Sequence, residues 1–491
     1  MKLHSNLKTG LSISGLIGCT VLSASVNAAS FNPTGVNLSY GAVSHGQGTI
    51  SNNLNPASGA YDRTRMTSDD KVMGEFSLGG GLEYGNLDNL FEKIDDLAGY
   101  FASKDDGANN GGGDNGGDSG GKPGGDLDIS NPDLDALIDR IGVEAASAAA
   151  ILALVSTDGF ARADISNQFS LISNTNFLGG TFSFNFTRQV SSGAIGIEDD
   201  FNFDSQQALT ELESLFALVP EDPITTFDLS GGISITVEPS TGKASFAFEN
   251  DSLLVTKAAK VSEFTFGYSR EYGDYESGSL YWGVTPKVVN IGLSNVATRI
   301  GDIGDSESLF DDIKNAEFNT DTAIDIDLGV LWTASNYSIG ASLLDLVQSE
   351  FEFPVIDTTQ IESEKVLDTL KNIRQYKSKR QLKLESGLYT SDKKWGLNVA
   401  VDANAVEDPL GQSFQWASIS GGYKSNSWIL SNLRAGLHSN LSGTKLSQVA
   451  IGITALKYFN LDLASTLETT KISGNSYPKN VKLSLGFNYK F

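Results

Sequence analysis

Residues 117–121 read Gly117-Asp118-Ser119-Gly120-Gly121, matching both the serine motif of trypsin-like proteases and the pattern G-x-S-x-G. A serine becomes a nucleophile only when a neighbouring base takes its proton and a strained turn lifts its Oγ into reach. That turn needs a strand before it and a helix after it, whereas this serine lies among glycines. Gly116 to Lys122 nearly completes a phosphate-binding loop, but Pro123 stands where a magnesium-binding Ser or Thr is required. From Asp105 to Asp128 the same stretch holds ten glycines and six aspartates, without the fixed period of a calcium-binding repeat. Beyond residue 28 the only histidines are His45 and His438, and neither has the local sequence of a protease base. No catalytic residue, no cofactor site and no metal site is therefore assigned, and a non-enzymatic protein is expected.

The elements that would have to position such chemistry are of another kind. From Val481 to Phe491 the residues Val481, Leu483, Leu485, Phe487, Tyr489 and Phe491 are apolar, and Lys482, Ser484, Gly486, Asn488 and Lys490 lie between them. A period of two marks a strand with one apolar and one polar face. A soluble sandwich edge and a lipid-facing barrel strand share this pattern. Six more strand candidates precede it: Leu382–Tyr389, Trp395–Asp402, Ser413–Tyr423, Ile429–Leu437, Gln448–Leu456 and Leu461–Leu467. Their lengths approach the ~9–11 residues that a tilted strand needs to cross a bilayer. Several are joined by short polar breaks such as Ser391-Asp392-Lys393-Lys394, as in hairpins. Upstream, Phe182, Phe184 and Phe186 alternate, as do Phe264, Phe266 and Tyr268, and Trp282, Trp332, Trp395 and Trp428 fall near strand ends as in interfacial girdles. The barrel reading is preferred, with Phe491, Tyr489 and Phe487 as its insertion signal.

Other segments interrupt this pattern. Residues 29–70 are polar and rich in Gly and Asn, and residues 71–85 supply a first strand. Residues 86–158 form an insertion, with Leu87, Leu90, Phe91, Ile94, Leu97 and Phe101 at helical spacing. A second helix starts at Asn131-Pro132, and residues 104–128 link the two as a flexible acidic tether. Residues 159–491 carry the remaining strands. Two further helical insertions fall near 204–219 and 357–380. The second ends in Lys371, Arg374, Lys377, Lys379 and Arg380, which either complement the helix C-terminus or face anionic headgroups. Asp325 and Asp327 are read as solvated wall positions.

Composition narrows the setting. The 491 residues carry a net charge of -25, which argues against direct nucleic-acid binding. Lys2 and Lys8, the charge-free stretch after them and Val26-Asn27-Ala28 have the form of a cleaved signal peptide, residues 1–28. Its loss takes the net charge to -27. Cys19 sits in Leu16-Ile17-Gly18-Cys19, which also resembles a lipoprotein box. Cleavage after residue 28 leaves no cysteine, and so no disulfide or thiol chemistry. Past residue 28 no run of 18 apolar residues occurs, so spanning helices are not expected.

Three stretches carry a family resemblance. "NLNPAS", with Asn55, Pro56 and Ala57, resembles the N-terminal region of FadL-type outer-membrane barrels. "YWGVTPKVV" and "AIDIDLGVLWTASNYSIGASLLDL" resemble strands of that superfamily. Length and arrangement look most like the conjugal transfer TraF-like family of outer-membrane proteins, not the thioredoxin-like proteins that share the name. The resemblance implies an all-β fold: a transmembrane antiparallel barrel of about 14 strands with an N-terminal plug (residues 29–70, Asn55-Pro56-Ala57 as its motif) and helical loop insertions. It implies the cell outer membrane as location, and outer-membrane lipid and the barrel assembly machinery as partners. A hydrophobic small molecule is a candidate ligand, passed in FadL-like manner. The alternative function is a structural or adhesive surface protein acting through acidic helical loops.

Overall fold

The computed structural model describes residues 34–44, 48–85, 127–128, 160–200, 204–215, 217–241, 243–302, 315–472 and 475–490. Fourteen antiparallel strands close into one barrel. In chain order they are β1 Val72–Tyr84, β2 Phe160–Ser173, β3 Thr181–Ile197, β4 Leu253–Tyr275, β5 Gly278–Arg299, β6 Asn319–Thr333 and β7 Tyr337–Leu344. The other half is β8 Gln381–Tyr389, β9 Trp395–Asp402, β10 Trp416–Lys424, β11 Leu430–Asn440, β12 Ser447–Ala455, β13 Phe459–Thr466 and β14 Asn480–Lys490. Each strand pairs with its sequence neighbours, and β14 returns to β1 with Phe76 opposite Phe487 and Leu78 opposite Leu485. Closure leaves no open edge, which removes the sandwich alternative.

The period of two decides which side each residue faces. In β14, Val481, Leu483, Leu485 and Phe487 are exposed on the outer wall, while Lys482 and Ser484 are buried on the inner wall. In β6, Ile324, Ile326, Leu328 and Val330 face out, while Asp325 and Asp327 face in. An outer wall of exposed aliphatic and aromatic residues on a closed barrel is the pattern of a membrane-spanning β-protein, whose solvent on that side is hydrocarbon.

The two ends differ. At one end the strands are joined by short turns; at the other, by long connections. The aromatic girdle gathers at the short-turn end. Tyr268 meets Trp282 at 5.9 Å, Tyr275 meets Trp332 at 5.8 Å, Trp395 meets Tyr423 at 4.6 Å, and Phe487 meets Phe459 at 5.2 Å. Tyr489 lies over Gly74 on the paired strand, where any side chain would collide with its ring. Phe491 and the helices expected within 86–158 lie outside the described residues, as do all of residues 1–28.

At the long-connection end, residues 345–380 fold over the mouth. Glu350–Glu352 pairs with Gln375–Lys377, and Phe351 stacks on Tyr376. With Phe353 and Leu410 they bury Ala259, Val261, Ile291 and Leu293 of β4 and β5. The helix Glu364–Asn372 packs Val366 and Leu370 against Ile197, Leu253 and Val255. The expected helix across 357–380 is thus confined to its middle, because Tyr376 is drawn into an extended pair on the cap. Four of its five cations are paired with acids, Lys371 with Asp368, Arg374 with Glu352, Lys377 with Glu350 and Lys379 with Glu407, and Arg380 donates to the Leu346 carbonyl at 2.9 Å. In the connection after β3, the helix Ser205–Leu215 lies within the expected 204–219. A small sheet of Thr225–Asp228, Ile233–Glu238, Lys243–Phe248 and Leu127–Asp128 follows it.

Candidate functional site

Residues 34–44 and 48–64 lie inside the barrel. They make three short helical turns, α1 Asn37–Tyr40, a 3-10 turn Thr49–Asn53, and α2 Ser58–Arg63, and are bonded to the wall on several sides. Gly35 N donates to Ser484 Oγ of β14 at 2.7 Å. Ser170 Oγ of β2 donates to the Thr49 carbonyl at 2.7 Å, and Asn53 Nδ2 donates to Thr187 of β3 at 2.8 Å. Ser342 Oγ of β7 donates to the Leu54 carbonyl at 2.7 Å, and Ser420 Oγ of β10 donates to the Tyr40 carbonyl at 2.8 Å. The wall is lined with small hydroxyl and amide residues, which accept or donate without filling the space the segment needs.

Two anchors are stronger. The Arg434–Asp462 pair has both side chains fully buried, and Ser39 Oγ donates to the same carboxylate. Arg434 also donates to Ser39 Oγ at 3.1 Å, so α1 is tied to two strands at once. Glu385 of β8 accepts from both Ser44 N (2.6 Å) and Asn55 Nδ2 (2.9 Å), bracing two separate parts of the segment. Within the segment, Asp62 of α2 is buried with Arg65 at 3.0 Å, and its Oδ2 has no hydrogen-bond partner among the described residues. Burial pushes the Asp62 carboxyl up to about 6, with Arg65 pulling the other way. Burial likewise raises the Tyr40 hydroxyl, against the pull of Arg434.

The Asn55-Pro56-Ala57 motif has a specific seat. Its partners come from the other two stretches that carried the family resemblance. Asn55 Nδ2 donates to the Val330 carbonyl at 3.1 Å, and Asn55 Oδ1 accepts from Ala57 N at 3.0 Å. Beneath it, Gly283, Gly329 and Gly340 sit on β5, β6 and β7, with Gly283 directly opposite Gly329. A Cβ on Gly283 would strike the Pro56 carbonyl, and one on Gly329 would strike Asn55 Oδ1. Ala57 and Ala60 then pack on Tyr281 and Leu331. Periodicity could not reveal this seat, because it depends on three residues defined by a missing side chain.

Between this segment and the cap lies a small cavity of about 60 Å³, lined by charged residues such as Glu263, Lys287, Asp327, Lys383 and Asp402 and by apolar ones such as Leu54, Leu344, Phe414 and Trp416. Lys287 Nζ lies 2.8 Å from Asp327 and 2.7 Å from Asp345, and Lys383 lies 2.9 Å from Asp402. Asp325 and Asp327 are not solvated wall positions. Both are buried, and they accept from the Val347 and Asp345 backbone N–H groups at 2.9 Å, fixing the turn that starts the cap. A strap, residues 403–415, closes the mouth from another side: its Asp408 pairs with Arg162 of β2, both side chains buried. His438 faces inward from β11 and is buried, directly opposite Ser418 of β10. The Gly/Asp serine motif lies outside the described residues.

Comparison with solved structures returns hydrocarbon-channel and porin barrels at low identity. The "TodX deltaS2S3 mutant monoaromatic hydrocarbon channel" is 11% identical, covers 94% of this chain and 99% of its own, with a TM-score of 0.43. The Pseudomonas putida toluene transporter TodX is 12% identical over 94% of this chain and 100% of its own, at 0.38. A Pseudomonas aeruginosa FadL homologue is 11% identical over 96% and 99%, at 0.32. Comparison with curated proteins finds no match. A family model described as "F plasmid transfer operon, TraF, protein" matches residues 53–402, from the end of the 3-10 turn to the last residue of β9. That match spans the motif, its glycine seat and most of the barrel, well over half the sequence, and the chain belongs to this TraF family.

Proposed function

We propose that this protein is a non-enzymatic outer-membrane barrel in which residues 34–66 act as a displaceable plug, so that a small molecule passes when the plug and the cap move. One observation carries this reading. The lumen is obstructed by chain segments held through hydrogen bonds and ion pairs, whereas a barrel meant to be solid fills its interior with its own side chains. Asn55-Pro56-Ala57 is the plug motif in this account, and Phe491, Tyr489 and Phe487 form the insertion signal. The FadL-like version has a hydrophobic solute. The cavity has a mixed lining, the Lys287–Asp327 and Lys383–Asp402 pairs beside Leu54, Leu344, Phe414 and Trp416, which suits an amphipathic solute. Tethering the plug tests passage itself. Leu38 packs on Ala464 of β13, and Leu38→Cys with Ala464→Cys can be joined by a short bis-thiol reagent in a chain whose only other cysteine is Cys19. Solute flux into liposomes should fall at least tenfold on cross-linking and recover on reduction. Flux that ignores the tether rejects the plug. Running sugars beside hydrocarbon-like solutes separates the two versions.

Family membership favours a second reading, a surface role in conjugative transfer carried by the long connections. Deleting the gene and measuring mating frequency separates it from passage. Unchanged mating alongside tether-sensitive flux leaves passage alone.

A further inference from the structure

The outer wall is interrupted on one side by a depression. Around most of the barrel the lipid-facing positions carry large apolar side chains, but on β8 to β11 the outward row runs Leu388, Leu397, Gly421, Ala435. The result is an open depression of about 700 Å³ near the short-turn end. Packing does not demand the glycine. A Cβ there would meet only the Gly396 carbonyl, at an ordinary 3.5 Å. Leu388 and Leu397 make one side of the depression, Leu433 the other, and the tilted Trp395–Tyr423 pair closes the end nearest the turn. Immediately beyond Trp395 the turn 390–394 places Lys393 and Lys394. The one acid in that turn, Asp392, is engaged by Thr390 Oγ1 at 2.6 Å and Lys394 N at 3.1 Å. The next turn, 425–429, carries no acid. An apolar slot therefore ends at an aromatic sill with net positive charge behind it, on a chain whose overall charge is -25.

We infer that this depression binds one phospholipid with a net negative headgroup, its acyl chain over Gly421 and Ala435 and its phosphate at Lys393 and Lys394. Tryptophan and tyrosine favour the headgroup level, and lysine beside them supplies the charge that a phosphate seeks. The inference rests on the membrane reading above. The test uses full-length protein, stripped of lipid in detergent and titrated with phosphatidylglycerol or phosphatidylcholine, with retained lipid counted by native mass spectrometry. Wild type should keep one phosphatidylglycerol, at least tenfold more tightly than phosphatidylcholine. Gly421→Leu fills the slot and should lose that lipid at least tenfold. Lys393→Ala with Lys394→Ala should bring phosphatidylglycerol down to the phosphatidylcholine level. Heat-modifiable migration shows that each variant is folded. Equal retention of both lipids by wild type, full retention in Gly421→Leu, or a dimer covering the slot in place of lipid each overturns the inference. A barrel that enters bilayers but shows no lipid preference removes this inference alone, whereas a protein that does not enter bilayers removes the membrane reading.

Discussion

The segment inside the barrel is held by a set of single-residue contacts, and each contact has a separable consequence. Gly329 lies under Asn55, so Gly329→Ala forces the motif off its seat. Overpacking of this kind costs about 1–3 kcal/mol. Barrel assembly should survive, while added protease should cut residues 34–66 faster than in wild type. Asp462→Ala strips the partner from a fully buried Arg434 and the acceptor from Ser39. Leaving a buried charge uncompensated costs about 3–5 kcal/mol, and a drop in thermal stability with loosening of α1 is the expected result. Asp62 gives a pH dependence whose sign is fixed by burial. Its folded value, about 6, lies above the ordinary carboxyl value of 3.8. Folding therefore favours the protonated acid. The extra stability is fully present below 3.8 and is lost as pH rises through about 6. Two units correspond to a ceiling on the order of 3 kcal/mol. Protease resistance of the segment should be higher at pH 5 than at pH 7.5, and Asp62→Asn should flatten the difference. A wild-type profile without slope over that range refutes the assignment. Little of this was legible in the sequence: Asn55-Pro56-Ala57 stood out as a motif, but its partners Glu385, Gly283 and Gly329 lie hundreds of residues away in the chain.

Strands were far more legible than the pieces between them. All seven candidates from Leu382 onward became barrel strands β8 to β14, with ends shifted by three residues or fewer. Alternation there is enforced by two different solvents, lipid outside and polar lumen within, so each residue type reports its side. The helix 364–372 was overextended because periodicity cannot register that Tyr376 is wanted in the cap. The sheet of residues 225–248 passed unread, although Ile233, Ile235 and Val237 alternate and are buried. At this scale β14 carries a prediction of its own. Phe487 faces lipid and meets Phe459 and Tyr458. Phe487→Asp and deletion of Phe491 should each lower the outer-membrane level several-fold and leave unfolded chain in the periplasm. Normal abundance of both variants would dismiss the insertion signal.

For the whole molecule, orientation follows from the unequal ends, since outer-membrane barrels keep short turns in the periplasm and long connections outside. Residues 85–159 leave from the long-connection end, so trypsin added to intact cells should cut at Lys104 or Lys122. Cleavage that requires a permeabilised outer membrane would invert the molecule. The barrel class could be read from the sequence because it is a property of every strand; the closed lumen could not, because it comes from the meeting of residues 34–66, 345–380 and 403–415. One earlier feature shapes how the outside world meets this protein. Strands β4 and β5 run 23 and 22 residues, whereas β7 and β9 run 8. At ~3.3 Å per residue the first pair is tens of ångströms longer, and with the turns level at one end that excess stands up at the other. The rim is therefore a parapet along β4 and β5 and lower along β7 to β10. A bulky visitor such as a phage tail or an antibody touches the parapet before it touches the mouth, and on the lower flank it meets the cap 345–380 and the strap 403–415 that rise from β7 and β9.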